Sequence, residues 1–151
     1  MGYATTVVRN TFQAQSHHTE GVLLTIGVFQ HVLPLATPKG FRMVCLNRRD
    51  YSGTTLYSSA ELKVLSQGDE SDHSLFLEAR GVEIASFLDG LIDALSLPGP
   101  TDDGKEGGLA LMGWSMGNVF TLSTVASVSL LQPQVQTRLQ SYLRKLIMFG
   151  K

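Results

Sequence analysis

The sequence predicts an α/β fold: a mostly parallel sheet covered by helices on both faces, three layers in the order α/β/α. Three observations carry that expectation. Short apolar runs of strand type alternate with segments of helical periodicity along the 151 residues. One run, Leu109-Ala110-Leu111-Met112, leads straight into Gly113-Trp114-Ser115-Met116-Gly117, a serine flanked by glycines where a strand turns into a helix. The stretch from Ser115 to Leu131 then carries no charge, as expected of a helix packed behind a central strand and buried on most sides.

Taken in order, residues 3–14 mix Thr, Val and aromatics and read as one or two edge strands. Gln15 to Glu20, with His17 and His18, is a polar turn, so residues 1–20 are expected to be peripheral. Gly21 to Ile26 is a short strand, punctuated by Gly27. Val28, Phe29, Val32, Leu33 and Leu35 form a short helical face, broken at Pro38-Lys39-Gly40. Phe41 to Asn47 is a buried strand, and Arg48 to Ser59 a polar loop. Asp72 to Leu97 is the clearest helix. Leu75, Ala79, Val82, Leu88, Leu91, Ile92 and Leu95 line one side, while Glu78, Glu83, Asp89 and Asp93 lie largely on the other. Pro98-Gly99-Pro100 stops it, and Asp102 to Gly108 is an exposed loop. Pro133 ends the uncharged helix or begins a new short helix through Leu143, and Leu146 to Phe149 is a last apolar strand. No repeat or linker interrupts the chain, so residues 1–151 read as one domain.

Composition narrows the function classes. With 43% hydrophobic and 17% charged residues the chain is globular rather than disordered. A net charge of −1 gives no argument for nucleic acid or an anionic membrane surface. The uncharged stretches are studded with Gly, Ser, Thr and Gln, so no membrane span is expected. Met1 to Asn10 lacks the pattern of a secretory signal, which favours the cytosol. Met1-Gly2 to Thr6 fits a loose acylation pattern that is short and often accidental. Cys45 is the only cysteine, which excludes an internal disulfide, and its apolar neighbours mark it as a packed thiol. His17 and His18 are adjacent, not spaced as a metal pair on a helix.

The pentapeptide around Ser115 suits nucleophilic chemistry. A serine hydroxyl must be presented without obstruction, deprotonated as it attacks, and faced by donors for the resulting oxyanion. A sharp turn exposes it, and the following helix aims free N–H groups and its positive end at the reacting carbonyl. The Met116 N–H is the first oxyanion donor. Gly113 and Gly117 are expected to remove side chains that would collide where strand and helix meet. A bare G-x-S-x-G is a weak signal; the strand before it and the uncharged helix after it raise its weight.

From about Gly21 onward the chain resembles the α/β-hydrolase superfamily. Val28 to Ala36 resembles the family's first helix. Val44-Cys45-Leu46-Asn47-Arg48-Arg49-Asp50-Tyr51-Ser52-Gly53-Thr54-Thr55 resembles its fourth strand and following loop. Leu109 to Asn118 resembles the fifth strand, nucleophile elbow and helix, and Leu146 to Phe149 fits the sixth strand. The resemblance implies a serine hydrolase of esterase or lipase type that acts on a small ester-like substrate through an acyl-enzyme. Ser115 would be nucleophile, with Met116 N–H and Gly27 or Val28 N–H as oxyanion donors, and neither cofactor nor metal. Two departures stand out. The family's His-Gly loop is replaced by Ile26-Gly27-Val28, and the family order of serine, acid, histidine is not completed, because Met116 to Lys151 contains no Asp, Glu or His. His17, His18, His31 and His73 all precede Ser115. Of these His31 lies on a helix able to approach the strand tips, and His73 marks a surface helix start. Asp50 is expected to bond local backbone or to pair with Arg48 or Arg49. The chain therefore reads as the amino-terminal part of such a hydrolase, truncated near the sixth strand and of doubtful activity by itself. The alternative is a non-catalytic pocket-binding or degenerate interaction protein. A Rossmann-like domain is disfavoured by the lack of G-x-G-x-x-G after the first clear strand.

Overall fold

In the computed structural model the described residues are 4–6, 31, 33–51 and 54–150. The expected strand at Gly21–Ile26, the turn with His17 and His18, and Gly27 and Val28 lie outside them. Four parallel strands form a sheet in the order β2-β1-β3-β4, with β1 at Ala4–Thr6, β2 at Phe41–Met43, β3 at Leu109–Trp114 and β4 at Leu143–Phe149. The helices are α1 (Leu33–Ala36), α2 (Ser59–Gln67), α3 (Glu70–Ala94), α4 (Gly117–Ala126) and α5 (Pro133–Tyr142).

The expected three-layer α/β/α sheet of hydrolase type is not what forms. Helix dominates, and the sheet is small: β1 and β2 have three residues each, and β1 meets β3 at only two positions, Thr5 with Leu109 and Thr6 with Ala110. The substantial pairing is β3 with β4, in register from Ala110 opposite Lys145 to Trp114 opposite Phe149, with an irregularity where Arg144 is passed over. Helices α3 and α5 contribute to one core cluster with this pair. Ile84, Ala85, Leu88, Leu91 and Ile92 of α3 and Leu139 of α5 close on Leu109 and Leu111, with Phe120 of α4 packed against them. The physical reason for the difference lies in β4. A sheet covered on both faces would bury its apolar strands, but Leu146, Ile147, Met148 and Phe149 are all exposed, Phe149 to 67%. Among the described residues β4 also pairs with β3 alone.

Helix α4 corrects a second expectation. Absence of charge predicted burial on most sides, yet only Thr121 and Thr124 are buried within it, while Val119, Leu122 and Val125 face solvent. Its closest approach to α3 falls at a glycine. An added Cβ at Gly81 of α3 would lie 2.5 Å from Ser127 Oγ and closer still to the Ser123 carbonyl, so glycine lets the two backbones approach.

Local chemistry explains the helix boundaries. The α3 helix starts at an Asp69–Asp72 capping box, where Asp72 N–H donates to Asp69 Oδ1 (2.9 Å) and Asp69 N–H to Asp72 Oδ2 (3.2 Å). It runs three residues short of the expected Leu97 end. The α2 helix begins inside the span expected as loop, from a second box between Ser58 and Glu61. The signal was Ser58-x-x-Glu61; it was missed because α2 buries no residue and so shows no core-facing stripe. The expected strand Phe41–Asn47 ends at Met43, and Cys45 is fully buried in the irregular segment beyond it. Arg138 ties α5 to α3 through Asp89 (2.6 Å) and Asp93 (2.8 Å).

Candidate functional site

Strand β3 leaves the core at Trp114, and the chain turns at Ser115 before α4 starts at Gly117. Ser115 has φ 52°, one of three non-glycine residues with positive φ among those described. Such a conformation costs about 1–3 kcal/mol and persists only where its surroundings fix it. Here the fixing contacts are explicit. Ser115 N–H donates to the Phe149 carbonyl at the end of β4 (2.9 Å), and the Ser115 carbonyl accepts from Asn118 N–H (2.9 Å). Asn118 Nδ2 also donates to the Phe149 carbonyl (3.4 Å), while its Oδ1 is buried without a hydrogen-bond partner among the described residues.

Gly113 is the tight point of the turn. A Cβ there would lie 2.5 Å from Thr121 Oγ1, 2.7 Å from the Gly117 carbonyl oxygen and 2.8 Å from Asn118 Cα. At Gly117 a Cβ would meet nothing within 4 Å, so the collision expected at both glycines exists only at the first.

Ser115 and Met116 are exposed, and the Ser115 hydroxyl makes no hydrogen bond with any described residue. Helix α4 has no side-chain cap, and no described backbone carbonyl accepts from Met116 N–H. That amide lies at the helix start, where the dipole favours negative charge. No described histidine or carboxylate bonds Ser115. His31 is exposed in a turn, and His73 sits in the first turn of α3 with Nε2 3.0 Å from the Val64 carbonyl. Asp50 accepts from Tyr57 N–H (3.2 Å), the local backbone bond expected of it. Among the described residues no group of acidic, histidine or cysteine side chains is placed to hold a metal ion, and no helix is long and apolar enough to cross a membrane.

Sequence reasoning missed a second constellation. A pocket of about 320 Å³ opens between Leu46–Arg49, Thr54–Tyr57 and helices α3 and α4. Three guanidinium groups line it. Arg49 grips Glu61 with two bonds (2.7 and 2.9 Å), and Arg80 reaches the same carboxylate (2.8 Å) while lying 3.3 Å from Glu83. Glu61 also accepts from Ser58 N–H and hydroxyl (both 2.8 Å). Those contacts hold its carboxyl at about 2, below the ordinary 4.5, with the Ser58 backbone bond the largest cause and the arginines assisting. Arg48 stands apart. Its guanidinium carbon lies over Phe120 (4.0 Å to the ring centre) and its Nη2 donates to Tyr51 OH (3.0 Å), with no carboxylate of the described residues within ion-pair distance. The only sequence signal was the pair Arg48-Arg49 itself; their partners lie elsewhere in the chain.

No family model matches the chain, and neither a curated protein nor a solved structure matches it.

Proposed function

We propose that Ser115 is the nucleophile of a serine-hydrolase-type site, attacking a small ester-like substrate to form an acyl-enzyme, with Met116 N–H donating to the oxyanion. The observation that supports this most is the backbone of Ser115: positive φ, at the end of β3 and two residues before α4, with the side chain exposed. In the attack the hydroxyl oxygen bonds the carbonyl carbon, the hydroxyl proton leaves to a base, and the former carbonyl oxygen takes the negative charge. Among the described residues none bonds Ser115 as that base, so the proton passes to water or to a group outside them. Removing a triad member from serine proteases costs roughly 10⁴–10⁶ in turnover, so a Ser115 unaided by such a base reacts slowly and only with strongly activated acyl or phosphonyl donors.

A second reading is favoured by the unbonded Ser115 hydroxyl: a protein that keeps a binding pocket without the chemistry. A fluorophosphonate probe separates the two. Labelling of folded protein that disappears in Ser115→Ala is the expected result. Folded protein that stays unlabelled, or labelling that survives the substitution, refutes the nucleophile and favours the pocket-only reading.

A further inference from the structure

We propose that the pocket between Leu46–Arg49, Thr54–Tyr57 and helices α3 and α4 binds a small monocarboxylate with an apolar body, and that Arg48 is its anchoring residue. The site is independent of any reaction at Ser115.

The argument starts from which guanidinium groups are already engaged. Arg49 and Arg80 share Glu61, and Arg80 also lies against Glu83, so both are neutralised within the wall they build. Arg48 has no carboxylate within ion-pair distance among the described residues. Its guanidinium carbon lies over the Phe120 ring, 4.0 Å from the centre, and a guanidinium carries its N–H donors in its own plane, away from a ring it covers. Among the described residues one of those five donors is engaged, by Tyr51 OH. A planar cation with a free edge is the geometry that recognises a carboxylate through two parallel bonds.

Charge decides between candidate anions. Arg48, Arg49 and Arg80 set against Glu61 and Glu83 leave a single net positive charge around the pocket. One negative charge balances it. A doubly charged phosphate would face the Glu83 carboxylate, which is half exposed at 46%. Size and lining supply the rest. A volume of about 320 Å³ falls at the small end of ligand pockets, and Leu46, Ile84, Phe87 and Phe120 offer an apolar wall beside the cation. A bare inorganic anion would leave that wall uncovered.

The test uses isothermal titration calorimetry on the full chain with three probes of equal tail length: hexanoate, 1-hexanol and hexyl phosphate. Saturable binding of hexanoate is expected, weaker by roughly tenfold or more for hexanol, since a hydrogen bond to a charged group is lost. Arg48→Gln should weaken hexanoate by a similar factor and leave hexanol unchanged. Hexanol binding as well as hexanoate, hexyl phosphate binding more tightly than hexanoate, or no saturable hexanoate binding would each overturn the proposal. So would a folded Arg48→Gln protein that binds hexanoate normally. If that variant does not fold, the three-probe comparison on the parent protein still decides the matter.

Discussion

Replacing Gly113 by alanine tests the geometry of the turn without requiring activity. The φ of Gly113 is not positive, so no conformational penalty enters and the effect is purely one of space. The new methyl would lie 2.5 Å from Thr121 Oγ1, 2.7 Å from the Gly117 carbonyl oxygen and 2.8 Å from Asn118 Cα, all inside the 3.4 Å where ordinary contact begins. Thr121 cannot simply rotate away, because its hydroxyl bonds the Gly117 carbonyl (3.1 Å). The other two atoms are backbone, so the start of α4 must move off β3. Overpacking of this kind costs about 3 kcal/mol at the upper end of its usual range. Restricting the unfolded chain returns up to 1 kcal/mol, roughly. A net loss of about 2 kcal/mol lowers the melting temperature of a domain this size by about 4–8 °C. Gly117→Ala is the matched control: with nothing within 4 Å, it should leave the melting temperature unchanged or raise it by about 2–4 °C. Thermal melts followed by circular dichroism measure both. A Gly113→Ala protein that melts with the parent, or a Gly117→Ala protein that falls as far, would refute the close approach of β3 and α4.

Two further outcomes follow from ionisation. The Glu61 carboxyl is held at about 2 in the folded chain against an ordinary 4.5, so its contribution is complete above pH 4.5 and fades as the pH falls toward 2. Urea denaturation should therefore find Glu61→Gln less stable than the parent at neutral pH, with the gap closing over that window; a gap constant down to pH 2 would contradict the Ser58–Glu61–Arg49 arrangement. Burial pushes the Cys45 thiol up to about 12, so at pH 8 it carries almost no thiolate. A disulfide reagent should leave it unmodified in native protein and titrate one thiol in urea, whereas rapid native reaction would show that the segment after β2 opens readily.

What was legible in the sequence was what local chemistry decides. Helix α3 announced itself by the periodicity of Leu88, Leu91 and Ile92 and by the prolines after it, and the turn at Ser115 by two glycines between an apolar run and an uncharged one. Layering was not legible, because a run such as Leu146 to Phe149 looks the same whether two, one or no faces are covered. For the same reason the uncharged α4 suggested burial that Val119, Leu122 and Val125 do not have. The α2 helix carried its signal in a cap rather than in a stripe. The arginine pocket was hidden by distance along the chain. Arg49 meets Glu61 twelve residues on, and Arg80 arrives nineteen beyond that, from a different helix.

A single acceptor, the Phe149 carbonyl, joins the serine to the rim of the molecule. It receives both the Ser115 amide and the Asn118 side chain, yet it belongs to a strand anchored along one side only among the described residues. Fraying at the tail of that strand would release the Ser115 peptide before disturbing Leu109 or Leu88 in the interior. The apex would then relax toward ordinary dihedrals while the rest of the molecule stayed folded. How sharply the hydroxyl is presented thus depends on the last few residues of β4 as well as on α4, whose Asn118 N–H holds the Ser115 carbonyl.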